Sequence, residues 1–389
     1  MEQCIHSENC GGCLHQGVPY EEQLKIKEDQ VKEVLEKRNI DCGEFVEIEA
    51  APHIYSYRNK MDYTFGDEVI EGPMTLGMHK RKHFMSIVTV DHCQIVPEDF
   101  NTILKNTLEF ANEKGYSFYH KKRHEGLLRH LVVRAGENTG QLLVNIVTTT
   151  QSEFDDDAFV SMINGLDTEY EVVGILRTIH DGVADFIYVD DMTTLWGQDY
   201  YQERLLDLDF KVSPHAFFQT NTMAIERLYK DAVSLMPKGR ESTVFDVYCG
   251  TGTISLAISG YVKKVYGIEL VAESVSSAKE NALLNNIDNC EFLQGDAFEV
   301  MDSLDFKPDS IILDPPRVGL HPKAIKKILE YDLDEIIYVS CNPKTFAENM
   351  ERFQENGYRL EYLKAYDNFP FTKHTELLTK IVKGRTNKF

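Results

Sequence analysis

Between residues 243 and 341, five short apolar runs each stop at a residue that can do chemistry, and that rhythm admits few folds. TVFDVY runs into Gly250-Thr251-Gly252, KVYGIEL carries Glu269, CEFLQ leads to Asp296, SIIL to Asp314 and IIYVS to Cys341. Runs of this length and composition read as buried strands. In an open α/β sheet, ligands occupy the crevice beyond the carboxyl ends of the strands. Any one of these residues could be a solvated acid, a turn residue or a small apolar thiol. Five strand ends in register argue for one site. Residues 213–389 are therefore expected to form a doubly wound α/β domain that finishes with an antiparallel strand, ELLTKIVKG.

The local chemistry narrows the ligand. A glycine turn between a strand and an Ala/Leu/Ile-rich helix lets backbone N–H groups and a helix N-terminus approach a cofactor closely. Glu269 lies 19 residues beyond Gly250, near the spacing at which an acid accepts hydrogen bonds from ribose hydroxyls. The third glycine of the dinucleotide fingerprint is missing, which disfavours NAD. Pro315 and Pro316 cannot continue a ladder, so Asp314 is held at its strand tip. Asn342-Pro343 turns the chain just after Cys341, so the thiol faces a ligand rather than a core.

A second cysteine pattern lies at the N-terminus. Cys4, Cys10 and Cys13 form C-x5-C-x2-C, and Cys93 in VDHCQIVP supplies a fourth thiolate. Four thiolates can hold a zinc ion or a 4Fe–4S cluster, and the spacing alone gives the two equal weight. No secretory leader precedes the pattern, which disfavours disulfides and suggests a cytoplasmic protein. Cys42, Cys249 and Cys290 are expected to be buried small residues.

Charge sets the remaining limits. The chain carries −22 overall, which opposes binding to a polyanion. Residues 51–134, however, hold 12 Lys/Arg against 10 Asp/Glu, leaving −24 on the remainder. Basic clusters at Tyr57-Arg58-Asn59-Lys60, His79-Lys80-Arg81-Lys82-His83 and His120-Lys121-Lys122-Arg123-His124 alternate with Tyr63, Phe65, Phe84, Phe118 and Tyr119. Cations interleaved with aromatic rings suit a surface that stacks unpaired bases. Residues 20–38 read as an amphipathic helix with Leu24, Ile26, Val31, Val34 and Leu35 on one side. Residues 51–205 read as strand-rich, with LLRHLVVRA, QLLVNIVT and TEYEVVGILRTIH the clearest runs. No apolar run reaches the roughly 18 residues of a membrane helix.

Taken together, YCGTGT, GIE, LDPPRVG, SCNPKT, PFTKHTE and the earlier SPHAFFQTN resemble the S-adenosylmethionine-dependent RNA uracil-5-methyltransferases over essentially the whole chain. The resemblance implies a Rossmann-like methyltransferase domain over 213–389. It also implies a strand-rich central domain, 1–15 and 49–212, that carries the four-cysteine site and faces RNA. A helical segment, 16–48, would pack on the catalytic domain. The chain is expected to lack the N-terminal RNA-binding β-barrel that many relatives carry.

By the same resemblance, Cys341 adds to C6 of uracil and Glu376 removes the C5 proton. Gln219, Tyr248, Gly250, Thr253, Glu269, Asp296 and Asp314 take cofactor- or base-contacting places, with Asp314 able to favour uracil over cytosine. CIHSENCGGCLHQ and Cys93 match the 4Fe–4S ligands of the iron–sulfur branch, which makes 23S rRNA the first expected substrate and the tRNA T-loop the second. The target uridine would be extruded, at a cost of about a few kcal/mol. A monomer with no obligate protein partner and no membrane association is expected. Cytosine-5 chemistry is disfavoured because no cysteine follows Pro315 or Pro316, and exocyclic-amine chemistry because the Asn-Pro-Pro-aromatic turn is absent. A non-catalytic RNA-binding protein on the same fold, or a cluster-dependent redox sensor, are the other readings.

Overall fold

The structure, a computed structural model, describes residues 3–184, 189–236 and 239–384, so the first two and last five residues of the expected domains lie outside the described residues. The chain forms two compact units. One comprises Met1–Gly17, His53–Arg204 and Lys211–His215, the other Val18–Pro52, Leu205–Phe210 and Ala216–Phe389. Among the described residues no helix is long and apolar enough to cross a membrane.

Helix α1 (Tyr20–Glu36) and strand β1 (Cys42–Glu49) come first. Then follow β2 (Lys60–Asp67), β3 (Met74–Lys80), β4 (His83–Thr89), α2 (Glu98–Glu113), β5 (Leu128–Gly136), β6 (Gln141–Thr148), α3 (Asp156–Asn164), β7 (Glu171–Ile179) and β8 (Asp191–Gly197). Strands β2 to β8 make a seven-stranded sheet in the order β4-β3-β2-β5-β6-β7-β8. It is antiparallel except where β7 returns parallel to β6, after the crossover through α3. Every residue of the central strand β5 is buried. A strand covered on both faces has no need to alternate. Its Arg129, His130 and Arg134 are buried beside its apolar residues because they find partners, Arg129 Nη1 donating to the His180 carbonyl at 2.9 Å and Arg134 Nη1 to the Ser213 carbonyl at 3.0 Å.

After β9 (Tyr201–Leu205) and β10 (Leu208–Val212) come α4 (Thr222–Leu235), β11 (Gly239–Val247), α5 (Thr253–Ser259), β12 (Val262–Glu269), α6 (Ala272–Leu284) and β13 (Cys290–Gln294). The chain continues through α7 (Ala297–Ser303), β14 (Ser310–Leu313), α8 (Pro322–Glu330), β15 (Glu335–Ser340), α9 (Pro343–Glu355), β16 (Tyr358–Tyr366) and β17 (Glu376–Lys383). These strands and β1 form an eight-stranded sheet in the order β1-β16-β17-β15-β14-β11-β12-β13. Only β17 is antiparallel to its neighbours. The chain winds outward from β11 through β12 to β13, then returns to β14 on the other side, and this reversal opens a ligand crevice at the strand ends.

The register makes those ends level. Val247 pairs with Ile268 and with Leu313, and Leu313 with Tyr338. Ser340 pairs with Leu377, so one further step of that antiparallel register sets Cys341 opposite Glu376.

Helix α1 forms as expected but buries a different face. Gln23, Lys27, Val31 and Leu35 are the buried residues, whereas Leu24 and Ile26 remain half-exposed. Spacing of four selects this stripe, and its polar members are tolerated because they find partners. Lys27 Nζ donates to Asp367 Oδ1 at 2.5 Å and to the Phe369 carbonyl at 3.0 Å. Gln23 Oε1 accepts from Phe371 N at 2.9 Å. Val31, Leu35 and Ile40 join Phe245, Ile311, Ile336 and Phe346 in one buried cluster. The segment expected to be helical through residue 48 is not helical throughout, because its last part becomes β1 and pairs parallel with β16. Of the three cysteines expected to be buried, Cys249 is, while Cys42 and Cys290 are half-buried, each donating its thiol to a carbonyl.

Candidate active site and thiol pocket

The glycine turn after β11 is shaped by positive backbone angles. Tyr248, Gly250 and Gly252 have φ of 70°, 55° and 83°. A left-handed tyrosine is strained and persists where its surroundings dictate the turn. Here the Tyr248 and Cys249 amides are both held by the Ile268 carbonyl, at 2.8 and 3.1 Å. A side chain at Gly252 would crowd Phe292 and Ala278, whereas nothing lies within 4 Å of where one would stand at Gly250. Glu269 braces the turn from the next strand, its Oε2 accepting from Gly250 N at 3.1 Å and its Oε1 from Val271 N at 2.9 Å. Thr253 is the buried first residue of α5.

Asp296 is exposed and caps α7, accepting from Phe298 N at 2.9 Å and Glu299 N at 3.3 Å. Its charge still reaches Tyr248, whose hydroxyl is pushed up to about 12 by burial and then by Asp296 and Glu269. Five of the expected contact residues, Tyr248, Gly250, Thr253, Glu269 and Asp296, therefore surround the ends of β11, β12 and β13.

The ends of β14, β15 and β17 gather a second group. Burial pushes the Cys341 thiol up to about 12, Glu376 and Asp314 push in the same direction, and Arg317 opposes them. Glu376 is 6% exposed, and burial raises its carboxyl to about 7 against the pull of Arg317. Asp314 lies well above the usual carboxylate range through burial, then Glu376 and Asp246. One thiol and two carboxylates thus share a crevice with one guanidinium, and the acids are poised to hold protons. Gln219 belongs beside them, its Nε2 donating to Tyr229 Oη at 3.3 Å. That buried tyrosine feels Asp314, Asp246 and Glu376.

Several residues that build this group carried no sequence assignment. Arg317 Nη2 donates to His374 Nδ1 at 2.6 Å, and the Arg317 carbonyl accepts from Asn342 Nδ2 at 3.0 Å and Thr345 Oγ1 at 3.2 Å. Asn342 Oδ1 in turn accepts from Lys344 N at 3.2 Å, capping α9. Buried Asn349 Oδ1 accepts from Leu320 N and from Tyr338 Oη, both at 2.8 Å. The Asp-Pro-Pro-Arg and Ser-Cys-Asn-Pro loops are therefore stitched to one another rather than left to solvent. Asp246, fully buried and bonded to Ser255 Oγ at 2.6 Å, is raised to about 7 by burial. The signal for Arg317 is its place three residues after a proline-locked acid. Buried Asn349 gives none.

Cys4, Cys10, Cys13 and Cys93 lie apart in sequence from this crevice and line one small cavity with His6, Ser7, Gln16 and Ile95. All four thiols are free of disulfides. Burial raises Cys13 to about 11 and Cys93 to about 12, and each is pushed further by the other thiols of the set. Four sulfurs lining one cavity are soft donors of the kind a thiophilic metal group takes once they lose their protons, while among the described residues the ligand atoms within 4.8 Å of one another are those of His6, Asp91 and His92. Backbone bonds fix the pocket walls. Asn101 exchanges hydrogen bonds with Cys93, accepting at 2.9 Å and donating at 3.3 Å, and Cys4 N donates to Gln16 Oε1 at 3.2 Å.

Comparison with known proteins agrees with this architecture. The profile of the tRNA (uracil-5-)-methyltransferase family matches residues 192–382. An RNA methyltransferase of Clostridium tetani is 46% identical over 384 residues, covering 99% of this chain and 84% of that one. One from Halalkalibacterium halodurans is 33% identical, covering 96% and 81%. Among solved structures, the Pyrococcus abyssi tRNA (uracil-54, C5)-methyltransferase, in complex with S-adenosyl-L-homocysteine, superimposes with a TM-score of 0.79. It is 29% identical, with 96% of this chain and 85% of that one covered. With these relatives spanning nearly its whole length, the chain belongs to the tRNA (uracil-5-)-methyltransferase family of RNA methyltransferases.

Proposed function

We propose that this protein transfers the methyl group of S-adenosylmethionine to C5 of a uridine in RNA, with Cys341 as nucleophile and Glu376 as base. The observation that carries the reading is the shared crevice of Cys341, Asp314, Glu376 and Arg317 at adjacent strand ends. The sulfonium donor would lie over the glycine turn, its ribose hydroxyls on Glu269 and its neighbours Tyr248, Gly250, Thr253 and Asp296. Gln219 and Asp314 would hold the uracil edge.

Uracil C5 is a poor nucleophile. Addition of the Cys341 sulfur to C6 places the electron pair on C5 and the neighbouring carbonyl, and C5 then attacks the sulfonium methyl as S-adenosylhomocysteine leaves. Glu376 takes the C5 proton, the C5–C6 double bond re-forms, and the thiolate departs. A carboxyl raised to about 7 by burial suits that transfer, because a base poised near the working pH accepts a proton and gives it up again.

Cys4, Cys10, Cys13 and Cys93 would hold a 4Fe–4S cluster, with zinc as the competing occupant. No step of methyl transfer needs an electron, so the cluster's part is to tie the N-terminal segment to the sheet of its own unit. The cysteine set favours 23S rRNA as substrate, whereas the Pyrococcus abyssi neighbour favours tRNA. The test is incubation of anaerobically purified protein with S-adenosylmethionine and hypomethylated total RNA, followed by mapping 5-methyluridine by mass spectrometry. New 5-methyluridine in a large-subunit rRNA fragment is expected, in tRNA it would replace the substrate, and in neither it would end the catalytic reading.

A further inference from the structure

We propose that the β3–β4 hairpin is an RNA-binding arm on which Phe84 forms a stacking platform for an unpaired base. The choice of RNA as ligand rests on the methyltransferase reading above, while the platform is argued from the hairpin itself.

Phe84 is 72% exposed, at the start of a strand whose first three residues all face solvent before the core begins at Ile87. Among the described residues its aromatic and cation contacts are a histidine and a lysine. Its ring is stacked on the His79 imidazole, with centroids 5.2 Å apart and planes within 5°. Lys121 Nζ stands 5.5 Å from the same ring, brought there by the loop between α2 and β5. That loop repeats the arrangement, with Phe118 stacked on His120 at 6.4 Å. Two aromatic pairs therefore sit among cations. Lys82 and His83 at the hairpin turn are exposed, as are Lys122 and Arg123 in the loop. Lys80 is set aside because Glu68 neutralises it at 2.7 Å.

Charge complementarity selects the partner. A chain of net −22 repels a polyanion over most of its surface, so phosphates must dock where cations collect. Aromatic rings interleaved with those cations add stacking that tolerates any base, because every base has a π-face.

The platform is also held rigid, as a stacking surface must be to gain from contact. Gly11 N donates to the His79 carbonyl at 3.0 Å, Arg81 N to the Asn9 carbonyl at 2.7 Å, and Arg81 Nη2 to the Cys13 carbonyl at 2.5 Å. Cys10 bridges Lys80 as a short antiparallel pair. A side chain at Gly11 would meet the His79 carbonyl at 2.9 Å, so the cysteine segment approaches the hairpin as closely as a backbone can. The four-cysteine pocket thus supports the strand that presents the ring.

The test is fluorescence anisotropy of a labelled single-stranded oligouridylate titrated with full-length protein at two salt concentrations. Phe84→Ala is expected to weaken binding by roughly 5- to 50-fold, with S-adenosylmethionine affinity and thermal midpoint unchanged. Phe84→Trp, made together with Trp196→Phe so that the chain's one native tryptophan does not emit, is expected to restore affinity and to lose indole fluorescence when RNA binds, a signal that a merely structural ring would not give. Lys122→Glu with Arg123→Glu should weaken binding and flatten its salt dependence. Unchanged RNA affinity in Phe84→Ala, or indole emission in Phe84→Trp indifferent to RNA, would overturn the proposal, and the patch would then serve a protein partner. RNA binding through Phe84 by a protein that methylates no RNA would sink the enzymatic reading and leave the platform standing. Methylation with unchanged KM for RNA in Phe84→Ala would do the reverse.

Discussion

Cys341 and Cys93 are thiols that burial holds at about the same acidity, near 12 in both cases, and their surroundings ask opposite things of them. Cys341 stands among Glu376, Asp314 and Arg317, groups that can take its proton or steady its charge. Cys93 stands among Cys13, Cys10 and Cys4, which can only add to the repulsion. A lone thiol beside Glu376, whose carboxyl is raised only to about 7, and beside the Arg317 guanidinium has one proton acceptor and one cation, the means to lose and regain a single charge in a cycle. Four thiols around a cavity would, on the reading proposed above, lose their protons once, to a metal group that then stays. Under the roles proposed above, residue type and acidity do not separate nucleophile from ligand, whereas the neighbouring groups do.

The largest effect should fall on the first cysteine. Cys341→Ala is expected to lower methyl transfer by about 10^4-fold or more, as removal of a covalent nucleophile does, and to leave no RNA adduct on denaturing gels. A folded Cys93→Ser protein with an equal loss of chemistry would erase the distinction. Glu376→Gln should cost roughly 10^2- to 10^4-fold in turnover while letting the adduct accumulate as a slow-migrating band. The sign of the pH dependence follows from the raised carboxyl. Glu376 acts as base only when ionised, so single-turnover resolution of the adduct should rise with pH through about 7 and then level. A profile already flat at pH 5.5 would remove Glu376 from that step.

The second cysteine should show its effect in stability. Cys93→Ser, or chelation of the metal group, is expected to lower the thermal midpoint by about 5–10 °C, whereas Cys341→Ala should leave it within about 2 °C. Chelation should add nothing to Cys93→Ser. A protein whose midpoint ignores both treatments would have a thiol pocket without a tenant.

The sheet that makes this comparison possible was largely legible in the sequence, because period and punctuation carry it. Each of the five runs ends where a glycine, an acid or a proline stops a strand, and the observed registers Val247–Ile268, Val247–Leu313 and Leu313–Tyr338 line those ends up. What stayed hidden depends on partners far along the chain. Lys27 reads as a surface charge on α1, yet it is fully buried because Asp367, 340 residues away, waits for it. Gln23 is hidden for the same reason, through Phe371. Asn349 is another case, its side-chain oxygen joining the loop after β14 to Tyr338 of β15, which no local pattern connects. Rules that send polar residues outward fail where a buried hydrogen bond satisfies them.

The smallest expected effect probes how Cys341 becomes a thiolate at all. With its thiol at about 12, only a minute fraction is ionised at pH 8 in the free protein, so iodoacetamide should label it more slowly than free cysteine. S-adenosylmethionine and S-adenosylhomocysteine have nearly the same shape and differ by one positive charge. Each would shield the thiol from reagent to the same degree, so the ratio of labelling rates in their presence reads the charge alone. A sulfonium near the crevice should stabilise the thiolate and raise the rate by roughly 3- to 10-fold over the homocysteine complex, the range left by an effective dielectric near 20 and solvent screening. Cys93 should show no such ratio, since on the proposed reading its proton would be displaced by a metal group and not by a passing cation. Equal rates at Cys341 in the two complexes would mean that the sulfonium field does not reach the sulfur. The proton would then have to be taken by Asp314 or Glu376 at the moment of attack, which makes the carboxylates, and not the methyl donor, the source of the nucleophile.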